Sequence, residues 1–242
     1  VEKPICLKLN QAKNLIKISK KKNKKIFVVM QNRYNLPVKL TKKFLDEKKL
    51  GKIINITVRV RWSRDQKYYN LNSWRGTWKN DGGALTNQGI HHLDLMCYFG
   101  GKVSEVFGFT ARRLVKIQAE DNAMALIKFK SGALGNIEVT TAARPKDLEG
   151  SISILGEKGT IIIGGFAANK IDVWEFQNKK LEIKKEKYVQ NPSNVYGFGH
   201  KEFYKEVQKN LLNKKNNATQ AIDTIPSLTL LHSIYSSVSM KK

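Results

Sequence analysis

The stretch Ile54-Asn55-Ile56-Thr57-Val58-Arg59-Val60-Arg61-Trp62 alternates apolar and polar side chains without a break. A period of two puts Ile54, Ile56, Val58, Val60 and Trp62 on one face of a strand and the polar residues on the other. That is the pattern of a sheet covered on one side only. The pattern continues downstream. Apolar runs at 106–110, 123–129, 134–140, 151–155, 160–163 and 171–176 are separated by turn residues, and Ser131-Gly132 and Glu157-Lys158-Gly159 read as hairpin turns.

Helical periodicity flanks this block. After Pro37, residues 38–50 read as a helix ended by Gly51. Residues 63–80 form a loop rich in Tyr, Asn, Trp and Arg, and Asp81-Gly82-Gly83 then leads into one helix running to about Phe99 and closed by Gly100. Helices over 200–213 and 225–240 finish the sequence, with Pro226 tolerated in the first turn of the second. Upstream, 7–22 reads as a helix with Asn10 as its N-cap, and Ile26–Met30 as a strand buried on both faces. The expected fold is α+β, an open and mostly antiparallel sheet with helices on one face. The last helix and strand of a Rossmann-type α/β domain precede it. No phosphate loop accompanies that unit, because Gly82-Gly83, Gly100-Gly101 and Gly164-Gly165 do not make a strand–G-x-G-x-x-G–helix motif. The start, Val1-Glu2-Lys3-Pro4, has neither an initiator Met nor a signal sequence, so we expect a processed or truncated N-terminus.

Composition narrows the function. No apolar run approaches the ~20 residues that span a bilayer. Two cysteines, Cys6 and Cys97, are too few for a disulfide framework and fit a reduced, cytoplasmic protein. The formal net charge of +24 invites a nucleic-acid reading. Against it, lysines outnumber arginines 36 to 8 and are scattered over exposed helix faces and turns, with one dense cluster at Lys20–Lys25. Nucleic acid is therefore not the expected partner, although anionic substrates such as sugar nucleotides are favoured electrostatically.

Three segments carry candidate chemistry. Lys3, in Glu2-Lys3-Pro4, lies where a strand of an α/β unit would end, the region in which such sheets bind ligands. An ordinary surface lysine is the plainer reading of that tripeptide alone. In the run Asp81 to Asp94, Asn87 and His91 are four apart and share a helix face, with Asp94 one turn beyond. Oxidising a secondary alcohol requires removal of its hydroxyl proton, and histidine titrates in a suitable range. A merely packed polar face is the competing reading. No second cluster at ligand spacing suggests a metal. In the loop Tyr68 to Trp78, Trp74, Arg75 and Trp78 suit a sugar ring and an anion, or else a buried loop or subunit contact. Tyr196-Gly197-Phe198-Gly199-His200 has the same character.

Taken together, these pieces resemble the glucose–fructose oxidoreductase / inositol dehydrogenase / MocA family. The likeness rests on Glu2-Lys3-Pro4, Gln31-Asn32-Arg33-Tyr34 with Pro37, Leu50-Gly51-Lys52-Ile53, and Gly82-Gly83-Ala84-Leu85 through His91 and Asp94. Gly199-His200 and Ile222-Asp223 add to it. The resemblance implies that residues 1–36 are the remnant of a dinucleotide-binding (Rossmann) domain. Residues 37–242 would be a C-terminal α+β domain for substrate binding and oligomerisation, so a homo-oligomer through the sheet is expected. It implies an NAD- or NADP-dependent oxidoreductase acting on a secondary hydroxyl of a sugar or nucleotide-linked sugar. Lys3 and His91 would be catalytic. Glu2 and Lys3 would touch the cofactor, and Lys3, Arg33, Trp74, Arg75, Trp78, Asn87, Gln88, His91 and His92 the substrate. Many members carry Asp at the position of Asn87, which puts a carboxylate relay in doubt. The Trp74-to-Trp78 loop and the Asn87-to-His92 run are most similar to the branch oxidising nucleotide-linked amino sugars for cell-surface polysaccharides. A non-enzymatic binding or scaffold protein on the same sheet is the alternative.

Overall fold

The computed structural model describes residues 1–191 and 196–239. Seven strands form one sheet in the order β2-β3-β4-β1-β5-β6-β7: β1 (Ile53–Arg61), β2 (Val103–Ala111), β3 (Asn122–Phe129), β4 (Leu134–Thr140), β5 (Glu149–Gly156), β6 (Gly159–Gly164) and β7 (Lys170–Phe176). All neighbours pair antiparallel except β1 and β4, which run parallel in register Val58↔Ile137. This is the open, mostly antiparallel sheet expected from the alternation.

One face is covered. Ile56, Val58 and Val60 of β1, Ile127 and Phe129 of β3, Ile137 and Val139 of β4, and Ile152 and Ile154 of β5 are buried there. Helices α2 (Leu36–Asp46), α5 (Ile90–Gly100) and α7 (Ile225–Ser239) lie against that face, and α1 (Leu9–Lys21) packs on α7. The opposite face keeps Met124, Leu126 and Leu134 exposed beside a charge ladder, in which Arg61 grips Glu138 through two bonds of 2.6 Å. Ile54 departs from the expected face. A bulge between Ile53 and Asn55 shifts the register, and Ile54 is exposed.

The N-terminal segment differs from its sequence reading in two respects. The cap of α1 is Lys8, with Asn10 inside the helix. Residues 26–30 make no extended strand. Phe27 forms an isolated antiparallel bridge with Gln220, and Val1 lies beside it, its ammonium donating to Phe27 C=O (2.9 Å) and its C=O accepting from Val29 N–H (3.0 Å). That alternation of partners is the pattern of a parallel pair. Helix α2 also ends a turn early, because Lys48 takes a left-handed φ of 54°. The last helix was expected to reach Met240, which lies outside the described residues.

The largest correction concerns the helix expected after Asp81-Gly82-Gly83. The continuous helix is broken into α4 (Ala84–Asn87) and α5, with Gln88-Gly89 at the corner. Buried Glu120 holds the start of α4. Its C=O accepts from Ala84 N–H, and its carboxylate Oε1 accepts from Leu85 N–H and from Tyr235 Oη, each at 2.9 Å. Gly83 permits the approach, since a Cβ there would fall 2.0 Å from Glu120 Oε2. The short α3 (Gln66–Asn70) forms within the expected loop, capped by Asp65. Residue Glu206 of α6 (Gly199–Leu211) receives Asn217 N–H at 2.6 Å, fixing the turn before α7.

Burial pushes the Glu120 carboxyl up to about 7. A group raised in the folded state contributes its full stability below its unfolded pKa of about 4.3 and loses it as pH rises through the folded value. Glu120→Gln should therefore gain stability relative to the native protein by about 2–3 kcal/mol between pH 4.5 and 8. Urea titrations at four pH values across that range check this. A pH-independent gap between the two proteins would refute the assignment.

Candidate active site

The loops 62–83, 111–121 and 141–148 gather at one edge of the sheet, beyond the carboxyl ends of the parallel pair β1 and β4. The α4–α5 corner and the N-terminal segment meet there. Lys3 Nζ donates to the backbone carbonyl of Asn87 at 2.7 Å and lies 3.4 Å from its Oδ1. The Asn87 amide in turn donates to Asp81 Oδ1, and the second Asp81 oxygen accepts from Gly76 N–H at 2.7 Å. Cation, amide and carboxylate thus form one relay. Burial lowers the Lys3 pKa to about 8, against the opposing charges of Glu2 and Asp81. Burial also raises Asp81, while Gly76, Asn87, Arg75 and Lys3 counteract it.

His91 comes from the first turn of α5 and meets the 3₁₀ turn Gln31–Tyr34, with Gln31 Nε2 and His91 Nε2 3.2 Å apart. Burial, then the charges of Lys3, His92 and His200, hold its pKa well below the usual histidine range. The ring is therefore neutral at neutral pH. With the Gln31 amide donating to Nε2, the ring proton resides on Nδ1. Asn87 and His91 were expected on one helical face. The corner turns them to different partners, Asn87 to Lys3 and Asp81, and His91 to Gln31.

Several expected site residues are engaged elsewhere. Arg33 grips Asp94 through Nε (2.6 Å) and Nη2 (2.7 Å), donates to Asp223 C=O (3.0 Å) and lies 4.6 Å over the Tyr98 ring. Its guanidinium is a clamp between elements, with side-chain exposure of 12% against 2% for Asp94. His92 points the other way from His91, as adjacent helical residues do. It is fully buried, edge-on to Trp62, with its pKa lowered by burial to about 4. Trp78 lies against Tyr235 of α7, and Glu2 is exposed beside Lys3. Arg75, Trp74 and Gln88 stay together at the edge. The Arg75 guanidinium stacks over Tyr68 (4.2 Å) and Trp74 (4.7 Å) and donates to Tyr68 Oη, which also lies 3.4 Å from Gln88 Nε2.

Sequence reasoning gave no role to Gln31, Tyr68, Asp81 or Glu120. Asp81 reads as a helix start in sequence, and its pairing with Asn87 depends on the broken helix. Gln31 entered only as the first residue of the Gln31-Asn32-Arg33-Tyr34 motif, with no role of its own. The tail motif brings His200 within electrostatic range of His91 and within ring contact of Tyr196 at 6.4 Å.

Residues 38–162 match the family description "GFO/IDH/MocA C-terminal domain". The WlbA dehydrogenase from Bordetella pertussis, solved in complex with NADH and UDP-GlcNAcA, superposes with a TM-score of 0.91 and 38% identity. That alignment covers 100% of this protein and 70% of that one. A myo-inositol 2-dehydrogenase of Thermotoga maritima is 29% identical over 167 residues, 66% of this protein and 47% of the relative. A levoglucosan dehydrogenase of Pseudarthrobacter phenanthrenivorans is 27% identical over 187 residues, again 66% and 47%. The chain thus spans about half the length of the curated relatives it matches. Among the described residues no helix is long and apolar enough to cross a membrane.

The Lys3 environment can be tested directly. After reductive ¹³C-methylation, the Lys3 resonance should titrate near pH 8, well below surface lysines near 10.4. Asp81→Asn removes a charge that favours the ammonium, so it should move that midpoint lower still. A Lys3 midpoint above 10 would contradict the described burial.

Proposed function

Because the chain belongs to the GFO/IDH/MocA family, we propose that it is the substrate-binding and catalytic part of an NAD- or NADP-dependent dehydrogenase acting on a secondary hydroxyl of a nucleotide-linked sugar. Residues 1–36 are read as part of the dinucleotide-binding unit and 37–242 as the substrate and oligomerisation domain. The observation that carries the reading is that Lys3, bonded to Asn87, lies within electrostatic range of His91 across the junction of these two parts. Likeness to WlbA over the whole sequence supports the substrate class, since that protein is held with NADH and UDP-GlcNAcA.

The nicotinamide, when bound, supplies the hydride acceptor. Lys3 suits its neighbourhood, because an ammonium has three N–H donors and those described here go to Asn87 alone, which leaves capacity for a ribose or substrate hydroxyl. Glu2 stands beside it. With a pKa near 8, Lys3 can hold or release a proton close to neutral pH. His91 presents a neutral imidazole, and the substrate hydroxyl displaces the Gln31 amide from its Nε2 lone pair, which then accepts the hydroxyl proton. Asn87 orients Lys3. Gln88, Arg75 and Trp74 line the approach, whereas Arg33, His92 and Trp78 serve in packing. The apolar side of the open sheet face, with Met124, Leu126 and Leu134, is read as a contact between copies of the protein. The two unpaired cysteines suit a cytoplasmic setting.

The test is NADH formation from NAD and UDP-GlcNAcA by the complete gene product. His91→Ala should reduce kcat by about 10²–10⁴ while leaving the circular dichroism spectrum unchanged. Turnover unaffected by His91→Ala would remove that residue from the mechanism, and absence of turnover with any nucleotide sugar would overturn the substrate class.

A further inference from the structure

Beside the Lys3–Asn87–Asp81 relay lies a cavity of about 870 Å³ between the segments 66–77 and 112–118. Arg75 enters it from one wall, and Arg112, Arg113 and Lys116 from the other. No Asp or Glu is among its lining residues. Two other basic hollows do contain acids: one around Arg33 and Lys42 is lined by Asp46, Glu47, Glu206 and Asp223 as well, and one around Arg64 and Arg144 by Asp65 and Asp147. A general excess of lysine does not account for three of the eight arginines facing one cleft without a carboxylate.

The cleft is built rather than incidental. The Gly76 C=O accepts from Gln118 N–H and Ala119 N–H, both at 3.0 Å, and Gln66 Oε1 accepts from Lys116 N–H at 2.7 Å, so the two walls are stitched together. Asp121 fixes the basic wall from within. Its carboxylate accepts from the N–H groups of Arg113 (2.8 and 3.0 Å), Leu114 (2.7 Å) and Val115 (3.3 Å). The Asp121 carboxylate is thus turned onto the backbone. Arg112 donates to Ile117 C=O, Arg75 Nε is buried without a partner, and the Arg113 and Lys116 side chains are exposed.

We propose that this cleft binds the diphosphate of the substrate, with the arginine forks supplying paired donors to its oxygens. The inference rests on the nucleotide-sugar reading and assigns a position within it. Gly76 forms a wall of the cleft and donates to Asp81, Asp81 is bonded to Asn87, and Asn87 to Lys3. One ligand can therefore have its diphosphate in the cleft and its sugar at Lys3 and His91.

Calorimetric titration of the 242-residue protein with UDP, inorganic pyrophosphate and uridine tests the assignment. UDP and pyrophosphate should bind with an affinity that falls as salt rises, and uridine at least tenfold more weakly than UDP. Arg112→Ala/Arg113→Ala should weaken UDP and pyrophosphate at least tenfold. Arg113→Ala alone, which removes no internal side-chain hydrogen bond, should weaken them severalfold. Lys102→Ala/Lys130→Ala removes the same charge from a remote hollow and should change neither by more than about twofold. Equal losses in the two double variants would reduce the effect to net charge and overturn the site, as would binding unchanged by the arginine variants. The complete gene product separates this inference from the broader reading. Oxidation of UDP-GlcNAcA with a KM indifferent to Arg112→Ala/Arg113→Ala would remove the cleft and keep the function. Arginine-dependent pyrophosphate binding without oxidation of any nucleotide sugar would keep the anion cleft and remove the function.

Discussion

The ion pair between Arg33 and Asp94 is the constraint on which the rest of the site depends. It is bidentate and nearly dry, and Ser227 Oγ lies 3.3 Å from the same carboxylate. A charge-assisted fork of this kind fixes direction as well as distance. Breaking a buried pair by removing one partner costs about 3–5 kcal/mol, because the other charge is left uncompensated. Its neighbours in sequence are bound as tightly. Tyr34 Oη bonds Asn217 C=O and Thr219, and the Asn35 amide donates to Ala167 C=O and Ala168 C=O. The short segment 31–35 therefore has its side chains anchored in α5, in the turn before α7, and in the loop after β6. Gln31 faces His91 from a segment that Arg33, Tyr34 and Asn35 hold in place.

A second theme is the use of acids. The sequence has 20 carboxylate side chains against 44 basic ones. Asp81, Asp121 and Glu120, all buried, bind backbone N–H groups at loop and helix starts. A carboxylate used in this way shapes backbone as well as carrying charge. The same three residues position Gly76, the 113–115 turn and α4, and so set the geometry of the edge.

How much of this was legible follows from the range of each interaction. The alternation from Ile56 to Trp62 is local, and it gave the sheet and its covered face correctly. The bulge that exposes Ile54 depends on pairing with β5 and has no signature in β1 itself. The break at Gln88-Gly89 was invisible for a similar reason. Residues 84–100 form an acceptable helix by periodicity, and the residue that fixes where α4 starts, Glu120, lies more than thirty residues away. Arg33 shows the limit of reasoning from residue type. A guanidinium beside a binding cleft and a guanidinium clamping Asp94 look identical in sequence. The adjacent histidines were separable in principle, since only one could share a face with the site, and the core took His92.

Asn87 is best understood through Asp81. A carboxylate at position 87 would stand against the Asp81 carboxylate, and two buried like charges in contact drive one of them to protonate. The amide avoids that conflict. It gives its N–H to Asp81 and turns its oxygen, together with the backbone carbonyl, towards Lys3. The negative charge that favours the Lys3 ammonium is thus supplied by Glu2 and then by Asp81, the latter bonded to Lys3 through a group that does not titrate. Lys3 then keeps a pKa near 8, low enough to exchange a proton at neutral pH and high enough to remain largely charged. Replacing the amide by a carboxylate would bring a negative charge against the ammonium and bind its proton more firmly, which is the opposite of what proton exchange requires.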